Sequence, residues 1–332
     1  MSPSLGKYLF LLRLSGTLAV KAFRTRLSGS IIPDVLVIEL TSACDLSCRA
    51  CYISKSGPTH TLSGKLVRQL LSEAVAIGIP HVSFSGGEPL LQSETIVHCL
   101  AENPGTSFSI ATSGFLLSRE FVASLAGFPN VQLILSTDGP VASARFRHPD
   151  SSRRFVEAAT LLRNAGIRYG ASTRVYGENF GEVVSPAFLS FLTDNGCAFG
   201  AFSPLLPYAR EAGALAPLTP AERACLDRFC IQARQFSSLE IIAPCLGPGP
   251  CAGGGRIISV TPEGWILPCP HIPWKCHRFP DHTLKEALES NFFTELRRAS
   301  PGKAGSCCFL LDHNDRLKEI INRNTASSLA CR

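Results

Sequence analysis

Beyond residue 33 the chain alternates two patterns of apolar position. Short runs rich in β-branched and aromatic residues predict strands at Val35–Leu40, His81–Phe84, Phe108–Thr112, Val131–Ser136, Tyr169–Val175 and Ala198–Pro204. Between them apolar residues recur every three or four positions. Leu62, Leu66, Leu70 and Ala74 do so with Val67, Leu71 and Val75, and Phe155, Ala158, Ala159, Leu162 and Ala165 do so later, which predicts helices. Strand and helix in alternation describe an α/β chain with a parallel sheet and crossover helices. Six such units, two short of the eight that close a barrel, predict an open (β/α)6 arrangement.

The pattern breaks between Pro204 and Pro220. Thr219-Pro220-Ala221-Glu222 then reads as a capping box with proline at the first helical position, opening a helix with Leu226, Phe229, Ala233 and Phe236 on one face. Cys225 and Cys230 lie on that helix and read as packing thiols. From Pro244 the composition turns to glycine, proline and cysteine. The run Ile257–Leu267 around Glu263-Gly264 predicts a β-hairpin that brings its flanking cysteines together. Three segments follow: residues 1–33, a core over 34–240, and a small cysteine-rich domain over 241–332.

The first segment changes the picture of the surface. Residues 1–33 hold Lys7, Arg13, Lys21, Arg24 and Arg26, no acid, and an interleaved apolar set from Tyr8 to Phe23, the pattern of a basic amphipathic helix. Arg13 leaves its apolar run short of the roughly 20 residues that span a bilayer. It could lie on an anionic membrane surface, bind an acidic partner, or pack on the open edge of the sheet. The whole chain of 332 residues, with 45% hydrophobic and 17% charged residues, is globular, and a net charge of +6 is mild. No nucleic-acid partner is expected. Fourteen cysteines in a chain of this size, with no secretory signal pattern, read as metal ligands. A cytoplasmic, oxygen-poor setting is expected, with contact at the inner membrane surface through residues 1–30 as one of those three readings.

Three of those cysteines carry the chemistry. Cys44, Cys48 and Cys51 stand at C-x3-C-x2-C directly after the first strand. Thiolates hold the irons of a [4Fe–4S] cluster, and a full protein cage uses four. Three leave one iron open to an external ligand. Structural zinc sites instead close all four positions, mostly with two paired hooks.

This segment resembles the radical S-adenosylmethionine (radical SAM) superfamily, whose C-x3-C-x2-C loop follows the first strand of a partial TIM-type barrel. Gly86-Gly87-Glu88-Pro89 resembles its GGEP motif, and Ser136-Thr137-Asp138-Gly139 a later S-x-D-G strand end. The resemblance implies that S-adenosylmethionine binds the open iron, that one electron cleaves it, and that the resulting 5′-deoxyadenosyl radical takes hydrogen from a substrate. An electron donor such as flavodoxin or ferredoxin is implied with it. Gly86 and Gly87 would admit the methionyl moiety, and Glu88 would accept from its ammonium group. Ser113 stands where relatives carry a polar residue at the third strand end. Ser136 and Asp138 stand near the expected ribose, with Asp138 alternatively a cap of the next turn. Arg174 is a candidate for the methionyl carboxylate, or else a residue facing substrate. The family's aromatic residue before the third cysteine is here Ala50, with Tyr52 beyond Cys51, so the adenine contact departs from the pattern.

The tail resembles the opening of the SPASM and twitch extensions, with Cys251, Gly264 and Cys269 at C-x12-G-x4-C. Those extensions bind auxiliary [4Fe–4S] clusters. The continuing C-x2-C-x5-C-x3-C run is absent, which points to one auxiliary cluster. Cys251 and Cys269 lead as ligands, one of Cys307 and Cys308 contributes, and Cys276 or Cys245 completes four. Zinc on the same cysteines, with His271 and His277 nearby, is the competing reading. Cys331 is not expected to be a ligand.

The expected activity is radical SAM chemistry on a cofactor, lipid or peptide substrate that the sequence does not name. A peptide maturase is expected to carry a domain for a leader peptide, for which 33 residues are too short, although a separate partner could supply one. A non-catalytic iron–sulfur or zinc scaffold is the alternative. Such a scaffold needs neither the open three-cysteine loop nor Glu88 beside a glycine pair.

Overall fold

Nine strands form a single sheet in the order β7-β6-β5-β4-β3-β2-β1-β8-β9, and every neighbouring pair is parallel except β8 and β9. The computed structural model describes residues 31–49, 51–53, 58–206, 215–243, 251–272, 274–299, 308 and 313–327. The amphipathic helix expected over residues 1–33 lies almost wholly outside the described residues. Strands β1 (Val35–Glu39), β2 (His81–Ser85), β3 (Ser107–Thr112), β4 (Val131–Ser136), β5 (Tyr169–Val175) and β6 (Phe199–Pro204) match the six expected ones closely. A seventh, β7 (Glu240–Ile242), extends the sheet on one edge.

Helices follow the strands: α1 (Gly64–Ile77), α2 (Ser93–Glu102), α3 (Arg119–Leu125), then α4 (Pro140–Phe146) with α5 (Ser151–Asn164). After β5 come α6 (Phe180–Val183) and α7 (Pro186–Asp194), and after β6 comes α8 (Pro220–Phe236). Local chemistry sets their ends. Ser63 Oγ accepts from the Leu66 amide to start α1, and Gly78, at φ +95°, ends it in the left-handed region. The capping box of α8 forms, with Thr219 and Glu222 each accepting from the other's amide.

Strand alternation gives the sheet two unlike faces. Leu36, Ile38, Val82, Phe84, Phe108, Ile110, Leu133 and Leu135 are buried in the main core with the helices. On the other face the parallel register sets Val37 beside Ser83 and Ser259, Glu39 beside Ser85, Ser83 beside Ser109, Ser136 beside Ser172, and Arg174 beside Ser203. Closed barrels fill their interior with bulky branched side chains. Here the inner face is largely small and hydroxylated. Near the N-terminal ends of the strands His81 Nδ1 and Nε2 meet Ser107 Oγ (3.0 Å) and Ser109 Oγ (2.9 Å), and Ser109 donates to Ser83 Oγ (3.0 Å). Burial lowers the His81 pKa to about 4, so the ring is neutral at pH 7.

The tail does not stand apart. Its hairpin, β8 (Ile257–Val260) and β9 (Ile266–Leu267), turns at Gly264 (φ +92°) and lays β8 along the far edge of β1. Helices α9 (Leu284–Glu289), α10 (Asn291–Ala299) and α11 (Asn314–Ser327) complete it. Ile258, Val260, Phe292 and Phe293 belong to the same buried core as Leu36 and Ile38. Glu73 of α1 accepts from the Leu284 amide at 2.8 Å, tying α9 to the barrel.

Candidate active site

The cysteine loop leaves β1 at its C-terminal end, where parallel barrels gather their chemistry. Its entry is pinned on both sides. Thr41 Oγ1 meets Thr61 Oγ1 at 2.8 Å, the Ser42 amide donates to the His60 carbonyl at 2.9 Å, and the His60 amide donates to Ser42 Oγ at 3.0 Å. Cys44, Cys48 and Cys51 are partly buried thiols on the loop. The Leu46 amide lies 3.5 Å from Cys44 Sγ, the kind of donor that stabilises a thiolate. The Arg49 amide donates to the Phe146 carbonyl at 2.9 Å, seating the loop on the end of α4.

From the other side, the strand end Ser85-Gly86-Gly87-Glu88 docks on the loop backbone. Leu40 donates to the Ser85 carbonyl (2.9 Å), Gly87 to that of Thr41 (2.7 Å) and Glu88 to that of Ala43 (2.8 Å). A Cβ on Gly87 would sit 2.1 Å from the Ala43 oxygen, and one on Gly86, at φ +129°, 2.5 Å from that of Thr41. The glycines therefore bring two backbones together, a requirement distinct from the expected approach of the methionyl moiety.

Glu88 differs from expectation more sharply. Its Oε1 accepts from Thr112 Oγ1 (2.8 Å) and the Leu90 amide (3.1 Å), and its Oε2 from the amide (3.0 Å) and hydroxyl (2.9 Å) of Ser113. Four donors occupy the roughly four lone-pair sites of a carboxylate. In this structure Glu88 braces β2 against β3 and leaves no position for an ammonium group. Burial raises its pKa, and the four donors oppose that. Ser113, a predicted cofactor contact, is held by the same carboxylate.

At the ends of β4 and β5, Ser136 lies on the inner face beside Ser172. Asp138 is 1% exposed. Its Oδ2 is 2.9 Å from Arg147 Nε, in an ion pair without linear hydrogen-bond geometry, and accepts from the Tyr176 hydroxyl at 3.3 Å. Its Oδ1 is buried with no hydrogen-bond partner among the described residues. The capping alternative for Asp138 is not seen, because the first amides of α4, those of Val141 (2.7 Å) and Ala142 (2.9 Å), donate to the Glu182 carboxylate. Arg174 Nη1 donates to the Pro204 carbonyl at 3.3 Å, and its charge acts on His271 of the tail.

These features converge at one end of an open parallel barrel. Residues 38–185 match the radical SAM superfamily. The chain carries a radical SAM domain. Among curated relatives, the AdoMet-dependent heme synthase of Methanosarcina barkeri is 24% identical, covering 83% of this chain and 88% of that protein. The PqqA peptide cyclase of Gluconobacter oxydans is 27% identical, covering 71% of this chain and 70% of that protein. The solved structure of Streptococcus suis SuiB bound to S-adenosylmethionine shares the fold, with a TM-score of 0.68 at 15% identity over 93% of this chain and 73% of that one. As a radical SAM enzyme the protein holds a [4Fe–4S] cluster on cysteine and binds S-adenosylmethionine. The donor set fits, since one short loop presents three partly buried thiols, with the Leu46 amide beside that of Cys44.

Next to the radical SAM domain the tail gathers a second thiol group. Burial raises the Cys269 pKa well above the usual thiol value, with the nearby Cys251 and Cys308 adding to the shift and the His271 and Ile272 amides opposing it. Cys251, Cys269 and Cys308 are thus neighbours. Cys276 is 5% exposed and disulfide-bonded, so the structure presents it as a disulfide sulfur and not as the thiolate donor expected. Cys307, Cys245 and Cys331 lie outside the described residues. Among the described residues no three His, Cys, Asp or Glu side chains converge on a single metal ion. His277 Nδ1 accepts from Trp274 Nε1 at 3.2 Å, and the His271 ring packs on Tyr52, so both histidines have partners within the fold. On α8, Cys230 is fully buried and its pKa is pushed up to about 12, as for a packing thiol.

Sequence reasoning missed two pairs around the radical SAM domain. Tyr52 donates to Glu39 Oε1 at 3.0 Å, and Glu39 lies on the inner face of β1 at 5% exposure. An acid at an inward position of a buried strand was the available signal. The Arg147–Asp138 pair had none, because only the fold brings α4 to the cysteine loop. Among the described residues no helix is long and apolar enough to cross a membrane.

Proposed function

We propose that Cys44, Cys48 and Cys51 hold the cluster and that S-adenosylmethionine takes its fourth position, initiating hydrogen abstraction from a substrate in the serine-lined interior. A [4Fe–4S] cluster held by these three thiolates would supply, when reduced, the electron for cleavage of S-adenosylmethionine. The observation that carries this reading is the three-thiol loop bonded to β2 on one side and to α4 on the other. Asp138 Oδ1, buried and without a hydrogen-bond partner among the described residues, suits a ribose hydroxyl, with Ser136 on the same inner face. Ser113 is fixed by Glu88 at the mouth, and Arg174 serves the methionyl carboxylate or the substrate. A flavodoxin or ferredoxin supplies the electron.

The tail, on this reading, holds one auxiliary [4Fe–4S] cluster through Cys251, Cys269 and Cys308. A fourth thiolate comes from Cys307, or from Cys276 once its disulfide is reduced. The substrate carries a polar segment able to pair with Ser83, Ser85, Ser136 and Ser172. The relative named as a peptide cyclase makes a peptide the leading class, and the relative named as a heme synthase keeps a cofactor precursor as the second.

Anaerobic reconstitution of the wild type and of the Cys44→Ala, Cys48→Ala, Cys51→Ala variant tests the reading, with iron, sulfide and 5′-deoxyadenosine measured after dithionite reduction. About eight irons per chain falling to about four, with 5′-deoxyadenosine lost, is the expected result for two four-iron clusters. A fully loaded wild type that makes no 5′-deoxyadenosine would return the scaffold reading.

A further inference from the structure

The hydrogen bond from the Arg49 amide to the Phe146 carbonyl, 2.9 Å, has Cys48 on one flank and Arg147 on the other. Helix α4, which delivers Arg147, is itself fixed at its start. Glu182 accepts from the Val141 amide (2.7 Å) and the Ala142 amide (2.9 Å), and Gly139 lies so close that a Cβ there would meet that carboxylate at 2.6 Å. At its end the Arg147 side chain is 16% exposed and lies against Asp138, itself 1% exposed. Tyr176, fully buried, donates to the same Asp138 oxygen, and Phe146 packs edge-on against the Tyr176 ring at 5.6 Å. Burial opposes the Arg147 charge, but Asp138, Cys48 and Tyr176 outweigh it and hold the guanidinium protonated.

A guanidinium does not lose its charge in proteins, so this is a permanent cation at the cysteine loop. Charges in a water-poor interior act strongly on one another. The loop's cluster gains one electron, from 2+ to 1+, supplied by an external low-potential one-electron donor, with no bond made or broken. A fixed positive charge nearby favours the reduced member of that couple, and a fixed negative charge disfavours it.

We infer that Arg147, held by Asp138 and Tyr176 beside Cys48, is a positioning residue that eases electron entry into the radical-generating cluster, with Asp138 moderating its charge. The inference rests on Cys48 being a ligand of that cluster. A structural ion pair would be equally damaged from either side. An electrostatic device predicts opposite shifts from its two halves.

The test is anaerobic redox titration of the reconstituted full chain without S-adenosylmethionine. The quantity followed is the paramagnetic signal of the reduced cluster that the Cys44→Ala, Cys48→Ala, Cys51→Ala variant lacks. Arg147→Gln should shift the midpoint to more negative potential, Arg147→Lys should stay near wild type, and Asp138→Asn should shift it to more positive potential. An unmoved Arg147→Gln midpoint, an Arg147→Lys midpoint displaced as far as that of Gln, or Gln and Asn shifts of the same sign would each overturn it. Should Arg147→Gln fail to take up iron, Asp138→Asn and Arg147→Lys decide, and the absence of a positive shift in Asp138→Asn sinks the inference. If the triple cysteine variant loses no signal, the ligand assignment itself has failed.

Discussion

The Tyr52 ring meets the His271 ring edge-on, with centroids 4.8 Å apart, so the residue after Cys51 touches the residue two beyond Cys269. The two thiol groups are therefore joined through one aromatic contact. The same tyrosine reaches back to β1, donating to Glu39. Tyr52→Ala removes the ring and leaves a buried carboxylate without that donor. We expect a loss of about 3 kcal/mol in stability, the usual scale for truncating a large packed ring. Tyr52→Phe, which keeps the ring contact, should lose no more than about 1–2 kcal/mol. Denaturant unfolding of the reconstituted proteins checks both, and equal losses would show that the ring contact contributes nothing.

Glu39 gives a pH dependence of defined sign. Burial, offset in part by the Tyr52 hydroxyl and reinforced by Glu263, raises its pKa from 4.5 to about 7. Between those values the folded chain holds a proton that the unfolded chain has released, so this group's contribution to stability falls as pH rises. At 1.36 kcal/mol per unit the full effect is about 3 kcal/mol. Glu39→Gln should flatten the decline in unfolding free energy between about pH 4.5 and 7. An unchanged slope would mean that the carboxyl is already ionised at pH 6.

Gly87 fixes the cysteine loop against β2. A Cβ at this position would stand 2.1 Å from the Ala43 oxygen, so backbone must move to admit any side chain. Gly87→Ala should leave the tail's metal in place and lower iron by about four per chain, the content of one cubane. Full iron uptake with wild-type 5′-deoxyadenosine yield would show that the loop tolerates displacement.

Six strands were legible because each combines apolar positions with the length of a strand, and two of the helices between them, Gly64–Ile77 and Ser151–Asn164, carry a three-four period. β7 was not legible, since Glu240-Ile241-Ile242 offers three residues and no alternation to read. Nor was the docking of β8 on β1, which pairs Val35 with Ile257 across most of the chain, as no local pattern encodes it. The site divides the same way. The spacing of Cys44, Cys48 and Cys51, and of Cys251 and Cys269, is a local property. The saturation of Glu88 depends on the β2–β3 register that brings up Thr112 and Ser113, and the place of Arg147 depends on how α4 meets the loop.

Glu88→Gln follows from that register. An amide presents N–H groups to half of the donors that the carboxylate now satisfies, leaving about two buried groups unpaired. At roughly 1–3 kcal/mol per unsatisfied group, we expect a loss of about 2–6 kcal/mol. Thermal unfolding of the reconstituted variant checks it. A variant as stable as wild type would show that these four hydrogen bonds contribute nothing net to the fold.

Cys269 separates iron from zinc in the tail. Its sulfur is buried among Cys251 and Cys308, and a thiolate there with no metal would be an uncompensated buried charge, which is why burial raises its pKa so far. A metal supplies the missing positive charge, and both zinc and an iron–sulfur cluster can do so. Cys269→Ala should lower iron by about four per chain if the site is a cubane, with zinc content unaltered, while the loop cluster still responds to S-adenosylmethionine. Elemental analysis of wild type and variant reads both metals from one sample. Zinc lost at constant iron would assign the tail as a structural zinc site.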